Sequence, residues 1–166
     1  MQKIVVDKEA SPYAPYDHPF PTGEQEVKDI ATWFSQHDDF LAVCETASKE
    51  VIGYIAMHAE KPKEFNLGYC FHSAYQNKGY ATEACIAVVN YAFETLKANR
   101  LISGTAVLNL PSCTLLAKLG FRKTGEGITS LQKTAEGKAI EFVGASFESI
   151  KDTWLQTDYS NLDRPR

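Results

Sequence analysis

Hydrophobic positions change period several times along this chain, and each change marks an element. Val27, Ile30, Ala31 and Phe34 follow helical spacing, and Thr22 with Gln25 just ahead of them is a capping-box signal. Two β-type runs, Phe40–Cys44 and Val51–His58, flank the polar stretch ETASKE and predict a hairpin. A third strand, Phe65–Phe71, follows the turn EKPKE. The clearest helix spans Tyr80–Ala98, where Cys85, Val88, Val89, Ala92, Phe93 and Leu96 form one stripe, and Asn99 ends it. Leu101–Val107 reads as a short strand. Asn109-Leu-Pro-Ser then opens a helix with Pro111 in its first turn, closing at Gly120. Residues 128–134 and 139–148 flank the turn AEGK and predict a final hairpin. Helix, three antiparallel strands, helix, strand, helix and hairpin make an α/β chain with a mixed, mostly antiparallel sheet.

The ends are less regular. Lys3–Val6 alone has strand character near the start. Residues 7–23 carry four prolines and three aromatics and predict an irregular surface segment with no room for a helix. Residues 156–166, QTDYSNLDRPR, are expected to form a polar, frayed tail.

Composition narrows the function classes. The 166 residues, 44% hydrophobic and 23% charged, suit a single globular domain over 1–166 and exclude disorder and fibrous repeats. Seventeen Lys and Arg against 21 Asp and Glu give a net charge of −4, so no broad basic field exists for nucleic acid. The apolar run in MQKIVVDKEA is too short for a signal peptide or anchor, and no later stretch predicts a membrane span, which points to a reducing cytoplasm. Cys44, Cys70, Cys85 and Cys113 form no C-x-x-C pair and are expected to be mostly buried free thiols. His18, His37, His58 and His72 are isolated in sequence, so no metal site is expected. Gly120 and Gly125 have P-loop spacing, but Glu126 replaces the required lysine.

The informative stretch is Asn66 to Phe121. The strand ending Gly-Tyr-Cys-Phe runs into Gln76-Asn77-Lys78-Gly79-Tyr80-Ala81-Thr82 at the start of the long helix. Gly79 permits positive φ, and the helix start offers unpaired N–H groups at the positive end of the macrodipole, a ready pyrophosphate site. The same pattern also suits an ordinary strand-to-helix turn, and Asn109 and Ser112 also suit ordinary helix capping.

Taken together, G-Y-C-F, Q-N-K-G-Y-A-T-E-A and N-L-P-S-C-T-L-L-A-K-L-G-F resemble the GNAT superfamily of acyl-CoA N-acyltransferases. Within it, Asn109, Ser112, Leu116 and Lys118-Leu119-Gly120-Phe121 look like the ribosomal-protein N-terminal acetyltransferase type. The resemblance covers about residues 12–150. It implies a strand pair that splays beside residues 68–71, with pantetheine pairing to Tyr69, Cys70 and Phe71. Gln76, Asn77, Lys78, Gly79, Tyr80, Ala81 and Thr82 would wrap the pyrophosphate. Asn109 and Ser112 would lie at the thioester, where Ser112 is also a catalytic candidate.

The resemblance further implies acetyl-CoA as co-substrate, no metal, direct attack by a primary amine and, as one allowed assembly, a homodimer. The family often carries a carboxylate on the strand before the Asn-x-x-Ser loop or just before the Gly-Tyr. Here no Asp or Glu occurs between Glu94 and Glu126, the second position is Asn66, and the frequent helix tyrosine is Leu116. Glu64, on the same strand face as Asn66 and Gly68, is the expected base. His72, then His58, are the other candidates, with water as a further route. An α-amine of pKa near 8 is about 10% neutral at pH 7 against about 0.04% for lysine, so a site without an obvious base leans towards weakly basic amines. A protein N-terminus, a polyamine and an aminoglycoside remain open as acceptors. An acyl-CoA-binding module without turnover and a structural partner domain are the readings from other classes.

Overall fold

The expected strands are present in the computed structural model, which describes residues 1–161: β1 (Phe40–Cys44), β2 (Val51–Lys61), β3 (Glu64–Phe71), β4 (Arg100–Ala106), β5 (Arg122–Lys133) and β6 (Ala139–Ile150). They form one sheet in the order β1-β2-β3-β4-β6-β5. Every neighbouring pair is antiparallel except β3–β4, which runs parallel. The helices are α1 (Gln2–Glu9), α2 (Glu24–Ser35), α3 (Tyr80–Glu94), α4 (Leu110–Lys118) and the single turn α5 (Lys151–Trp154).

Period-two alternation sorts the sheet into two faces. Ile55 and Met57 of β2, Leu67 of β3, Leu101 of β4 and Phe147 of β6 point one way, into the main core with Cys85, Val89 and Phe93 of α3, Leu116 of α4 and Trp154 of α5. Fully burying each large side chain stabilises by roughly 1.5–3 kcal/mol. Asn90, the polar interruption in the α3 stripe, is buried because both amide atoms are used. Its Oδ1 accepts from Trp154 Nε1–H at 2.7 Å, and its Nδ2 donates to the Tyr159 carbonyl at 3.1 Å.

Several local expectations are corrected. Lys3–Val6 lies in helix α1, where Ile4 and Val5 are buried. An apolar pair reads as strand in isolation, but its charged neighbours suit a helix. That helix ends before Ser11, the residue ahead of Pro12, which disfavours helical backbone there. Helix α2 starts after Gly23 with no side-chain cap, so the Thr22–Gln25 box does not form. Helix α3 stops at Glu94, because Lys97 adopts φ 57° and Ala98 N–H reaches back to the Ala92 carbonyl. Strand β5 begins at Arg122, with a bulge between Lys123 and Gly125 that lets the glycine-bearing stretch keep pairing.

Of the cysteines only Cys85 is fully buried, whereas Cys44 is exposed at the end of the edge strand β1. The start of the tail is docked: Tyr159 stacks on Trp154 at 6.2 Å, and residues 162–166 lie outside the described residues. Among the described residues no helix is long and apolar enough to cross a membrane.

Candidate active site

Strands β3 and β4 pair only at Glu64–Arg100, Phe65–Leu101 and Asn66–Ile102. Ser103 then donates its hydroxyl to the Leu67 carbonyl at 2.8 Å, and beyond that link β4 follows β6 while β3 follows β2. The seam therefore opens beside residues 68–71. His72 N–H bonds to the Ile52 carbonyl at 3.0 Å, which sets the alternation along β3. By it Cys70 turns its backbone groups to β2, while Tyr69 and Phe71 turn theirs to the open seam. The Phe71 carbonyl accepts from Gln76 Nε2 at 3.1 Å. Tyr69 N–H and C=O and Phe71 N–H remain as an edge for an extended, amide-bearing ligand.

The edge leads into the start of α3. Gly79 has φ 90° and Asn77 φ 58°, so two left-handed residues fold the chain into a tight turn. Among the described residues the backbone N–H groups from Asn77 to Thr82 meet no acceptor. A cluster of such donors at a helix N-terminus suits phosphate oxygens. Asn77, Gly79, Ala81 and Thr82 line the cleft. Lys78 lies over the Tyr75 ring at 5.5 Å, and Tyr80 donates its hydroxyl to Glu45 at 2.6 Å, so neither side chain is part of the lining.

Across the seam, Asn109 caps α4 by accepting from Ser112 N–H at 3.2 Å. The Ser112 hydroxyl meets Tyr69 Oη at 2.9 Å, and Tyr69 also donates to the Ser112 carbonyl at 3.2 Å. Burial pushes the Tyr69 phenol well above its ordinary value, so it stays protonated and can donate. Sequence reasoning missed Tyr69 as a side-chain contributor, because nothing local ties it to a serine 43 residues away.

Two of the three expected bases, Glu64 and His72, lie elsewhere, whereas His58 lines the cleft. Glu64 sits at the closed end of the seam, 15% exposed, with its carboxylate 2.8 Å from Arg100 Nη1, and it does not line the cleft. Four residues of strand separate it from Gly68, about 13 Å. His72 caps the Ser73–Tyr75 turn, its Nδ1 accepting from Ala74 N–H at 3.1 Å, and is also outside the lining.

The opposite face of the open seam is walled by rings. Tyr16, Phe20, Phe34, Phe40, Tyr54 and Phe142 border a cleft of about 1380 Å³ that passes from one face of the sheet to the other. The proline-rich segment, none of its residues buried, lies at the surface as expected and also supplies part of this wall. Gln132 Nε2 donates to the Ala14 and Asp17 carbonyls at 2.6 and 2.7 Å, and Tyr16 packs on Phe142 at 5.3 Å. The aromatic residues in that segment were its only sequence signal.

Residues 1–122 match the family model described as an acetyltransferase (GNAT) domain. The chain belongs to the GNAT acetyltransferase family. Relatives of this GNAT domain include the uncharacterized N-acetyltransferase YnaD of Bacillus subtilis, 38% identical over 37% of this chain and 36% of the relative. Another is the [ribosomal protein uS5]-alanine N-acetyltransferase of Escherichia coli, 28% identical over 65% of this chain and 58% of that one. The chain thus spans well under two thirds of either curated relative. A GNAT-family acetyltransferase structure from Bacillus anthracis has a TM-score of 0.76 at 21% identity, covering 92% of this chain and 87% of that one. That likeness establishes the mixed α/β GNAT fold.

The two halves of the cleft in this GNAT domain differ in charge as well as in shape. On the ringed side, Lys8 is held by Glu9 at 2.9 Å, Asp17 at 3.4 Å and the His18 carbonyl at 2.7 Å, with the Phe20 ring 4.9 Å away. Asp7 accepts from Ser73 N–H and hydroxyl at 2.8 and 2.5 Å. The carboxylates bordering this half are therefore already engaged. Burial pushes the Cys70 thiol up to about 11 and the Tyr54 phenol higher still, so both remain neutral at physiological pH.

Proposed function

We propose that this GNAT domain transfers acetyl from acetyl-CoA to a primary amine, the N-terminal α-amine of a peptide whose leading side chain is apolar. The open β3–β4 seam carries this reading. Outward backbone groups of Tyr69 and Phe71, continuous with the unpaired N–H groups of Asn77–Thr82, suit a ligand with amides at one end and a pyrophosphate at the other. The amine nitrogen attacks the thioester carbon, the N–C bond forms, the C–S bond breaks, and the sulfur leaves as a thiolate that takes up a proton. An amide N–H at the open edge stabilises the oxyanion, and the Ser112 hydroxyl, held by Tyr69, donates to the departing sulfur. Holding both reactants on one sheet supplies the orientation.

The acceptor class follows from the aromatic wall and from the engaged carboxylates beside it. A polyamine or aminoglycoside needs free negative charge, whereas an apolar side chain next to a weakly basic α-amine fits ring faces. The name of the Escherichia coli relative, an alanine N-acetyltransferase, accords with this class.

Thermal shift and turnover test it together. CoA and acetyl-CoA raise Tm by mass action, whereas NAD and ATP at equal concentration do not. Peptides with apolar first residues are acetylated faster than spermidine or an aminoglycoside. An unchanged melt at millimolar CoA overturns the proposal, and CoA binding without turnover of either panel would make the chain a CoA-binding module.

A further inference from the structure

The cleft contains one titratable side chain that is fixed in place and still has a free nitrogen. His58, on β2, lines the cleft on the ringed side and is 44% exposed. Its Nδ1 lies 2.5 Å from Asp39 Oδ2. Asp39 is itself pinned, since its carbonyl accepts from Met57 N–H at 2.8 Å. The Phe40 ring stands edge-on to the imidazole at 5.0 Å. The ring is thus held on two sides, and Nε2 has no partner among the described residues.

The position of His58 matters as much as its state. Its Cα partner across the β2–β3 ladder is Asn66, the last β3 residue before the seam opens. Directly opposed residues share a face with Cβ atoms about 5 Å apart. Asn66 cannot accept a proton at neutral pH, and its Nδ2 donates to Glu60 at 3.2 Å. The other ionisable groups of this half are excluded in turn: Asp7 is bound to Ser73, Asp17 to Lys8, and Tyr54 and Cys70 stay protonated. His18 sits on an exposed stretch, and its ring has no hydrogen-bond partner among the described residues. Asp39 is the carboxylate in contact with the His58 ring, and Glu60 is engaged by Asn66.

We propose that His58, oriented by Asp39, is the base that takes the proton from the attacking amine in this GNAT domain. The inference rests on the acetyl-transfer reading above. Asp39 is a positioning residue: as acceptor of Nδ1–H it keeps the lone pair on Nε2, facing the cleft. One N–H proton moves to Nε2 as the N–C bond forms, and the imidazolium then releases it to solvent.

The full chain is assayed with acetyl-CoA and the probe peptide amide Ala-Phe-Ser-Gly. His58→Ala should lower kcat by about 10²–10⁴-fold with CoA affinity by calorimetry unchanged, and added imidazole should restore part of the rate. His58→Gln, closer in size, should show the same loss, and the acidic limb of the pH–rate profile should disappear in both. Asp39→Asn should lower kcat less, with the long-range ¹H–¹⁵N spectrum moving the imidazole proton from Nδ1 to Nε2. Wild-type turnover with His58 variants that keep their rate and acidic limb overturns the assignment alone. A wild-type chain that binds CoA but acetylates no amine overturns the functional reading, and this base with it. A wild-type spectrum with the proton on Nε2 overturns the dyad without touching that reading.

Discussion

The two ends of the β3–β4 seam are built from neighbouring residues and do opposite things. At the closed end, Glu64 pairs with Arg100 at 2.8 Å, Arg100 with Glu148 at 2.9 Å and Glu148 with Arg122 at 2.8 Å, tying three strands and the start of a fourth by alternating charge. At the open end no charged pair crosses among the described residues. Gly68 and Gly104 both line the cleft there, beyond the last β3–β4 pair. Parallel pairing covers only three residue pairs at the clamped end, while β4 stays paired to β6 along its whole length and β3 to β2. The difference shows how one strand pair can be rigid where the fold needs it and unpaired where the chemistry needs it.

Plugging the open end should have the largest effect. A Cβ on Gly104 would meet nothing closer than the Ala145 carbonyl at 3.7 Å, so Gly104→Phe can grow into the acceptor half without breaking the fold. Steady-state kinetics should show kcat/KM down by about 10²-fold or more, with CoA affinity and Tm retained. Normal turnover would mean the acceptor does not approach from this face.

Gly79→Val comes next. A β-branched residue at φ 90° is strained by about 1–3 kcal/mol, so calorimetry should find CoA binding weakened about 10- to 100-fold. Unchanged affinity in a folded variant would remove the phosphate turn from the site.

At the closed end Arg100→Met should act on stability instead. Arg100 is 41% exposed, so after discounting for solvent the loss is about 1 kcal/mol, or about 2–4 °C in Tm. CoA affinity should stay within about threefold, and a large affinity loss with an unchanged Tm would dissolve the contrast between the two ends.

The smallest effect is in the acid limb of stability. Arg122 first, and Arg100 after it, hold the Glu148 carboxyl below its ordinary value. A depressed carboxylate stabilises the fold above its unfolded value and loses that contribution as pH falls through the lower folded value. Tm measured from pH 7 to pH 3 should therefore fall below about pH 4, and Glu148→Gln should flatten that fall. A wild-type curve unaffected by high salt would show that the ion chain contributes nothing.

Features resting on a few consecutive residues were legible in advance. The α3 stripe, the left-handed Gly79, the Asn109 cap and the strand runs all depend on contacts within about one helical turn or on side-chain alternation. The misreadings are of another kind. Glu64 was expected to serve as base, and its strand face was read correctly, but its carboxylate is engaged by Arg100, 36 residues away. The proline-rich segment does lie at the surface, but its part in the cleft wall was not readable, because its anchor, Gln132, is 118 residues from Ala14. His58 meets Asp39, 19 residues away, and stands opposite Asn66 across the β2–β3 ladder, neither of which its sequence neighbours show.

The sequence by itself determined most of the elements, their order, the left-handed turn at Gly79 and the family pattern, because backbone preference, capping and periodicity act between near neighbours. Only the tertiary structure decided where β3 and β4 part, which groups of Tyr69 and Phe71 stay open, and which titratable side chain faces the gap. Those outcomes depend on how two strands held by different partners diverge and on which distant charges meet, and neither is written at any one position of the chain.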